Sequence, residues 1–89
     1  MPSYKLKILN EKGLHARASA KLVEVVEGFD ATAEIAKDGL SASGDSIMGL
    51  LMLAAPIGTT IKVLTSGPEA AALGDAIGQL VADKFGEEC

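Results

Sequence analysis

The sequence predicts an α+β fold, an open-faced β-sandwich in which three helices cover one face of a four-stranded antiparallel sheet. Alternating and helical hydrophobic periods follow one another in the order β-α-β-β-α-β-α. The chain has 89 residues, which suits one domain spanning residues 1–89. Apolar residues make up 48% of the chain and aromatic residues only 3%, so the core is expected to consist of Ala, Val, Ile and Leu.

Four strands are predicted where apolar and polar residues alternate. Residues 10–13 break the first strand, and the Asp38-Gly39 turn is a strong hairpin signal between the second and third. The predicted strands are Tyr4–Ile8, Thr32–Lys37, Leu40–Ser43 and Thr60–Ser66. Their expected inward residues are Tyr4, Leu6, Ile8, Ala33, Ile35, Ile61, Val63 and Thr65.

Two helices are predicted from apolar residues at three-to-four-residue spacing. The first covers Ala16–Glu27, and Gly28 ends it in the usual role of a C-terminal glycine. The second covers Ile47–Leu53, and either Asp45 or Ser46 can cap it. The residues expected to face the sheet are Ala18, Leu22, Val25, Val26 and Phe29 in the first helix and Leu50, Leu53 and Ala54 in the second.

A third helix is predicted from Gly67-Pro68-Glu69 to the tail, because proline and an acid both suit a first helical turn. Gly74 and Gly78 lie inside it, and each costs about 1 kcal/mol relative to alanine. A close packing contact is therefore expected at these glycines. The expected apolar face consists of Leu73, Ile77, Leu80, Val81 and Phe85.

Composition excludes several functions. Twelve acidic and eight basic residues give a net charge of −4, and the lysines are scattered singly, so neither nucleic acid nor an anionic membrane surface is expected as a partner. One histidine and one cysteine, Cys89, cannot build a soft-metal site or an internal disulfide, so no metal or cofactor is expected and Cys89 is interpreted as an incidental thiol. The longest apolar run, Leu50–Ile57, is too short to span a membrane, and no signal peptide is evident. A cytoplasmic monomer is expected.

The only histidine and the only arginine, His15 and Arg17, lie where the first strand is followed by the first helix. With His15 as N-cap, the backbone N–H groups of Ala16, Arg17 and Ala18 have no partners within the helix and favour an anion, above all phosphate. Arg17 adds a permanent charge that can hold phosphate oxygens. An imidazole nitrogen can also take up a phosphoryl group and pass it on. These residues alone predict an anion site and leave phosphoryl transfer open.

Two motifs resemble those of one family. Gly13-Leu14-His15-Ala16-Arg17 looks like the active-site motif of HPr, the histidine-containing phosphocarrier of the bacterial phosphotransferase system. Ser46-Ile47-Met48-Gly49-Leu50 resembles the serine site and following helix of that family, at the family's spacing. The resemblance implies that His15 accepts a phosphoryl group on Nδ1 from phosphorylated enzyme I and donates it to a IIA-type acceptor. It implies that Arg17 stabilises the phosphoryl charge, and that the protein is a carrier rather than an enzyme.

One residue departs from the family pattern. Proline is usual in the family where this chain has Ala18, and alanine restores an N–H group to the first turn. We expect the site to tolerate this change and to gain an anion donor. Ala18 and the segment Glu27-Gly28-Phe29-Asp30 resemble the nitrogen-related NPr branch, in which the relay serves regulation rather than sugar import.

Ser46 has two interpretations. As a cap it stabilises the second helix by about 1 kcal/mol. As the family's regulatory serine it would be phosphorylated by HPr kinase/phosphorylase, and the added charge would disturb partner docking. Asp45 stands before it, where a basic or neutral residue is common in the family, and this acid could hinder the kinase or mimic part of the effect of phosphorylation.

The second helix carries more apolar residues than one buried face can hold. Ile47, Met48, Leu51 and Met52 remain after the inward set is assigned, and exposed apolar patches of this kind mark interaction sites. Ala20 and Glu24 on the first helix are expected to complete this partner surface. The alternative is that these apolar residues belong to the core.

Two other functions are considered beside the phosphocarrier. The first is a non-catalytic α/β module that holds an anion or a partner protein at His15 and Arg17. The second is a small metallochaperone of similar shape, which the absence of a cysteine pair argues against.

Overall fold

The computed structural model describes residues 3–53 and 55–86 and has the predicted element order. A short 3₁₀ turn, Lys84–Gly86, follows the last helix. The elements are β1 (Ser3–Lys7), α1 (Ala16–Glu27), β2 (Thr32–Lys37), β3 (Leu40–Ser43), α2 (Ile47–Leu53), β4 (Thr60–Ser66) and α3 (Ala70–Ala82).

The sheet is antiparallel throughout, with strand order β1-β4-β2-β3. On its inner face Val63 of β4 stands between Tyr4 of β1 and Ile35 of β2. Ile8 follows the last residue of β1, yet its N–H still donates to the carbonyl of Thr59 at 2.8 Å. The fold class predicted from the sequence is confirmed.

The core between sheet and helices is aliphatic, as the composition predicts, with Phe85 as its one buried aromatic side chain among the described residues. The inward strand residues are confirmed, Tyr4 and Leu6 being half-buried and the rest buried.

Helix α1 is rotated relative to the expected face. Ser19 and Val23 are buried, whereas Val25 and Phe29 are only half-buried. Val25 and Phe29 were expected on the buried face of α1, but they lie at its border. The buried face itself runs along residues 18, 19, 22, 23 and 26. Leu80 of α3 is likewise half-buried. Ala54 and Cys89 lie outside the described residues.

Gly28 ends α1, as predicted. Its backbone lies in the right-handed region (φ −79°), so the left-handed freedom of glycine is not what stops this helix. Helix α3 begins at Ala70, after Pro68, so the prediction of proline in its first turn was wrong. Its N-cap, Glu69, makes no capping bond with its side chain, whose Oε1 instead accepts from the Asp30 N–H at 2.7 Å.

The C-terminal end of α3 is also different. The helix stops at Ala82, and Phe85 reaches the core from the separate 3₁₀ turn with φ 56°. The Lys21 Nζ of α1 donates to the carbonyl of Phe85 at 2.6 Å and holds this turn against α1.

The expected packing contact is found at one of the two glycines of α3. A Cβ on Gly74 would overlap the ring of Tyr4 on β1, so the ring lies directly over this glycine. A Cβ on Gly78 would meet only the Cδ2 of Leu6, at 4.0 Å. Close packing therefore accounts for Gly74 and not for Gly78.

Within residues 3–53 and 55–86, no helix is both long and apolar enough to cross a membrane. The same residues contain no group of three or more His, Cys, Asp or Glu side chains that could hold a metal ion.

Candidate functional site

His15 is the N-cap of α1. Its backbone is extended (φ −86°, ψ −175°), and its Nδ1 accepts a hydrogen bond from the Arg17 N–H at 3.3 Å. Extended backbone and a side-chain acceptor for the second or third helical N–H are the two features of an N-cap. The half-buried imidazole ring therefore directs Nδ1 at the first turn of α1.

The first turn of α1 offers a cationic environment to anything bonded to Nδ1. The N–H groups of an initial helical turn carry the positive end of the helix dipole. Ala16 and Arg17 are exposed, so the Arg17 guanidinium can approach an anion at the cap from solvent. Ala18 is fully buried, so its methyl group belongs to the core while its N–H remains part of the first turn.

The loop before His15 is clamped against the segment that follows α2. The Leu14 N–H donates to the carbonyl of Ala55 at 2.9 Å, and the Leu14 side chain is buried in the core. Gly13 has φ +64°, and a Cβ there would overlap the Ala55 carbonyl oxygen and lie 2.9 Å from the Cα of Pro56. Glycine is therefore required at position 13 both by its backbone angle and by the space available.

A second set of hydrogen bonds closes the same loop on itself. The Gly13 N–H donates to the carbonyl of Asn10 at 3.1 Å, and the Asn10 Nδ2 donates to the carbonyl of Gly13 at 2.8 Å. Sequence reasoning assigned Asn10 only to the break after the first strand. This role of Asn10 could have been predicted from the tendency of Asn side chains to hydrogen-bond to nearby backbone in turns, since Asn10 stands three residues before a glycine.

Ser46, and not Asp45, forms the cap bond of α2. Its Oγ accepts from the Gly49 N–H at 3.1 Å. The carboxylate of Asp45 instead accepts from the Ser43 hydroxyl. Leu50 and Leu53 are buried, as expected, and they orient the rest of α2 outward.

The predicted partner surface is an apolar patch on α2, with Met52 78% exposed, Met48 69% and Ile47 41%. Leu51 is half-buried. On α1, which packs against α2, Ala20 is half-buried and Glu24 is exposed.

Leu40 on β3 is 57% exposed beside Met52 and was not predicted as part of the patch. A hollow of about 180 Å³ lies between β3 and α2, lined by Leu40, Ser41, Gly49, Met52 and Leu53. Leu40 of the edge strand β3 therefore lies next to the apolar helix α2. Local sequence patterns do not reveal this proximity, because it joins two separate elements.

A family model described as "PTS HPr component phosphorylation site" matches residues 2–83 of the sequence. The chain belongs to the HPr family. It is thus a phosphocarrier of the phosphotransferase system, and the family resemblance read from the two motifs is confirmed.

Relatives of both branches of the family are similar to this HPr-family chain. It is 44% identical over 80 residues to phosphocarrier protein HPr of Cupriavidus necator, covering 90% of each chain. It is 46% identical over 80 residues to phosphocarrier protein NPr of Shewanella violacea, covering 90% of this chain and 88% of that one. A crystal structure of HPr from Thermoanaerobacter tengcongensis superposes with a TM-score of 0.95 at 31% identity, over 100% of both chains.

The clamp on Gly13 generates a stability prediction with a matched control. Gly13→Ala should lower the free energy of unfolding by about 3 kcal/mol, because it adds left-handed strain to an overlap with backbone. Gly39→Ala places the same methyl at φ +82° with nothing within 4 Å, so it should cost only about 1 kcal/mol. Denaturant unfolding of both variants measures the difference. Equal losses would show that the Ala55–Pro56 segment does not confine the loop.

Proposed function

We propose that this phosphocarrier accepts a phosphoryl group on Nδ1 of His15 from phosphorylated enzyme I and passes it to a IIA-type acceptor domain. The observation that carries the proposal is the N-cap geometry of His15, which directs Nδ1 at the first turn of α1. A phosphoryl group bonded there would lie where a helix N-terminus favours an anion.

The transfer is a displacement at phosphorus. The Nδ1 lone pair forms the N–P bond while the bond between phosphorus and the donor group of enzyme I breaks. The Arg17 N–H, which donates to Nδ1 before transfer, then donates to a phosphoryl oxygen. The second transfer reverses this sequence, with Nδ1 as the leaving group and the acceptor as the nucleophile.

The Arg17 side chain supplies charge stabilisation in both transfers. Its exposed position lets the guanidinium move between solvent and the phosphoryl oxygens as a partner docks. A fork of N–H donors matches the geometry of phosphate oxygens, and charge of this kind is most effective once a partner has excluded water.

Ala18 retains a backbone donor that proline would remove. We propose that the N–H groups of Ala16, Arg17 and Ala18 together hold the phosphoryl oxygens. The buried methyl of Ala18 is accommodated in the core, which supports the expectation that the site tolerates alanine at this position.

Enzyme I and the IIA acceptor are proposed to dock on the α2 patch and the adjoining face of α1. The exposure of Ile47, Met48 and Met52 supports this, because flexible methionines fit partners of different shape. Leu51, Ala20 and Glu24 are proposed to complete the same surface.

For Ser46 the cap bond supports a structural role. Phosphorylation by HPr kinase/phosphorylase is the alternative role. It would place negative charge beside Asp45 and within the partner surface, where it would oppose acidic groups of a partner.

We propose that residues 1–89 act as one domain and as a cytoplasmic monomer, in sugar uptake or in nitrogen-related regulation. Similarity to both an HPr and an NPr supports the two outputs equally, and the acceptor present in the same cell decides between them.

Incubation with enzyme I and labelled phosphoenolpyruvate tests the relay. The chain should take up acid-labile, base-stable label, and His15→Ala should take up none. Arg17→Ala should slow labelling by about a hundredfold, because one charged donor is lost from the transition state. Lys62→Ala, which removes an exposed charge from the sheet, is the matched control and should label at the parent rate. Absence of label, when a control carrier is charged, would favour a non-catalytic anion-binding module.

The docking surface gives a separate kinetic prediction. Met48→Asp should raise the KM for enzyme I by about tenfold, because it places a charge in the apolar contact. Ala71→Asp adds the same charge at an exposed position of α3 and should leave KM unchanged. Circular dichroism checks that both variants fold. Unfolding of Met48→Asp would assign Met48 to the core, and an unchanged KM would place docking elsewhere.

A further inference from the structure

We infer that Asn10 is a positioning residue for His15, acting through the carbonyl of Gly13. This inference rests on the proposed phosphorylation of His15. Asn10 lies five residues before the histidine, and its polar side chain is fully buried. Burying an amide N–H group is costly unless it is hydrogen-bonded, so the acceptor of the Asn10 Nδ2 indicates what this side chain holds in place.

One hydrogen-bond partner of Asn10 is also a partner of His15. The Gly13 carbonyl oxygen accepts from the Asn10 Nδ2 at 2.8 Å and from the His15 backbone N–H at 3.0 Å. The Asn10 amide therefore fixes the direction of the acceptor that holds the backbone of the histidine.

Leu14, between Gly13 and His15, is held separately. Its N–H donates to the Ala55 carbonyl and its side chain is buried, so this residue cannot shift to compensate for a change at Gly13. With Leu14 fixed, the orientation of the Gly13 carbonyl decides where His15 enters the helix. The extended backbone of His15 in turn directs Nδ1 at the Arg17 N–H.

The consequence concerns the rate of transfer rather than partner binding. Asn10 is buried and lies outside the exposed α2 patch, so its loss leaves the docking surface unaltered. Misalignment of a reacting atom lowers the rate even when the partners still bind, and 1 Å can cost about a hundredfold. A small rotation of the His15 ring is therefore expected to reduce kcat and to leave KM for enzyme I unchanged.

Asn10→Ala and Asn10→Asp test the inference, with Val63→Ala as the matched control. Asn10→Ala removes the hydrogen-bond donor. Asn10→Asp keeps the shape of the side chain but places a second hydrogen-bond acceptor opposite the Gly13 carbonyl oxygen. Val63→Ala destabilises the core from β4, away from the loop. At a temperature where all are folded, both Asn10 variants should lose about tenfold in kcat at constant KM, with Asn10→Asp at least as slow. Val63→Ala should keep the parent kcat.

Amide hydrogen exchange provides a readout that does not require enzyme I. The His15 N–H of Asn10→Ala should exchange about tenfold faster than that of the parent, beyond any acceleration that Val63→Ala causes. A parent kcat in Asn10→Ala, an equal loss of kcat in Val63→Ala, or a rise in KM alone would overturn the inference. If the parent chain itself takes no label, the proposed function fails, and the exchange of the His15 amide then decides the role of Asn10 alone.

Discussion

The hydrogen bond between the Arg17 N–H and Nδ1 of His15 is the interaction on which the site depends. It requires extended backbone at His15, a helix that begins at Ala16, and a loop held rigidly enough to deliver both. The loop is held from two sides, by its own Asn10–Gly13 bonds and by the Ala55 carbonyl. The segment after α2, which carries the Ala55 carbonyl, therefore also supports the loop that holds His15. The proposed partner surface and the proposed reacting atom are thus connected through the backbone within a few residues.

Features that depend on local residue patterns could be predicted from the sequence. The alternation of apolar and polar residues defined the four strands. The transition from the first strand to the first helix placed His15 at the N-cap of α1, because a cap depends on the residues on either side of it. It did not predict the contacts made across the fold. The bond from Leu14 to Ala55 joins segments 41 residues apart in sequence, and the overlap that excludes a side chain at Gly13 arises from the same approach. No local hydrophobic periodicity indicates the Leu14–Ala55 bond or the overlap at Gly13.

The errors at helices have a related cause. Helical spacing placed Val25 and Phe29 on the buried face of α1. The face that packs also depends on neighbouring elements such as α2 and α3, and Ser19 and Val23 are buried instead. Gly28 ends α1 without a left-handed backbone, and its N–H donates to the carbonyls of Val25 and Val26. Leu40 lies beside Met52 because β3 is the edge strand next to α2. This proximity depends on the strand order, which local sequence does not determine.

The central claim is that the first turn of α1 receives the phosphoryl group from Nδ1 of His15. Nitrogen and phosphorus NMR of the phosphorylated chain tests it most directly. We expect phosphorus bonded to Nδ1, with the amide protons of Ala16, Arg17 and Ala18 shifted downfield by their bonds to phosphoryl oxygens. Phosphorus on Nε2, or amide resonances of Ala16, Arg17 and Ala18 that stay at their unphosphorylated positions, would contradict it.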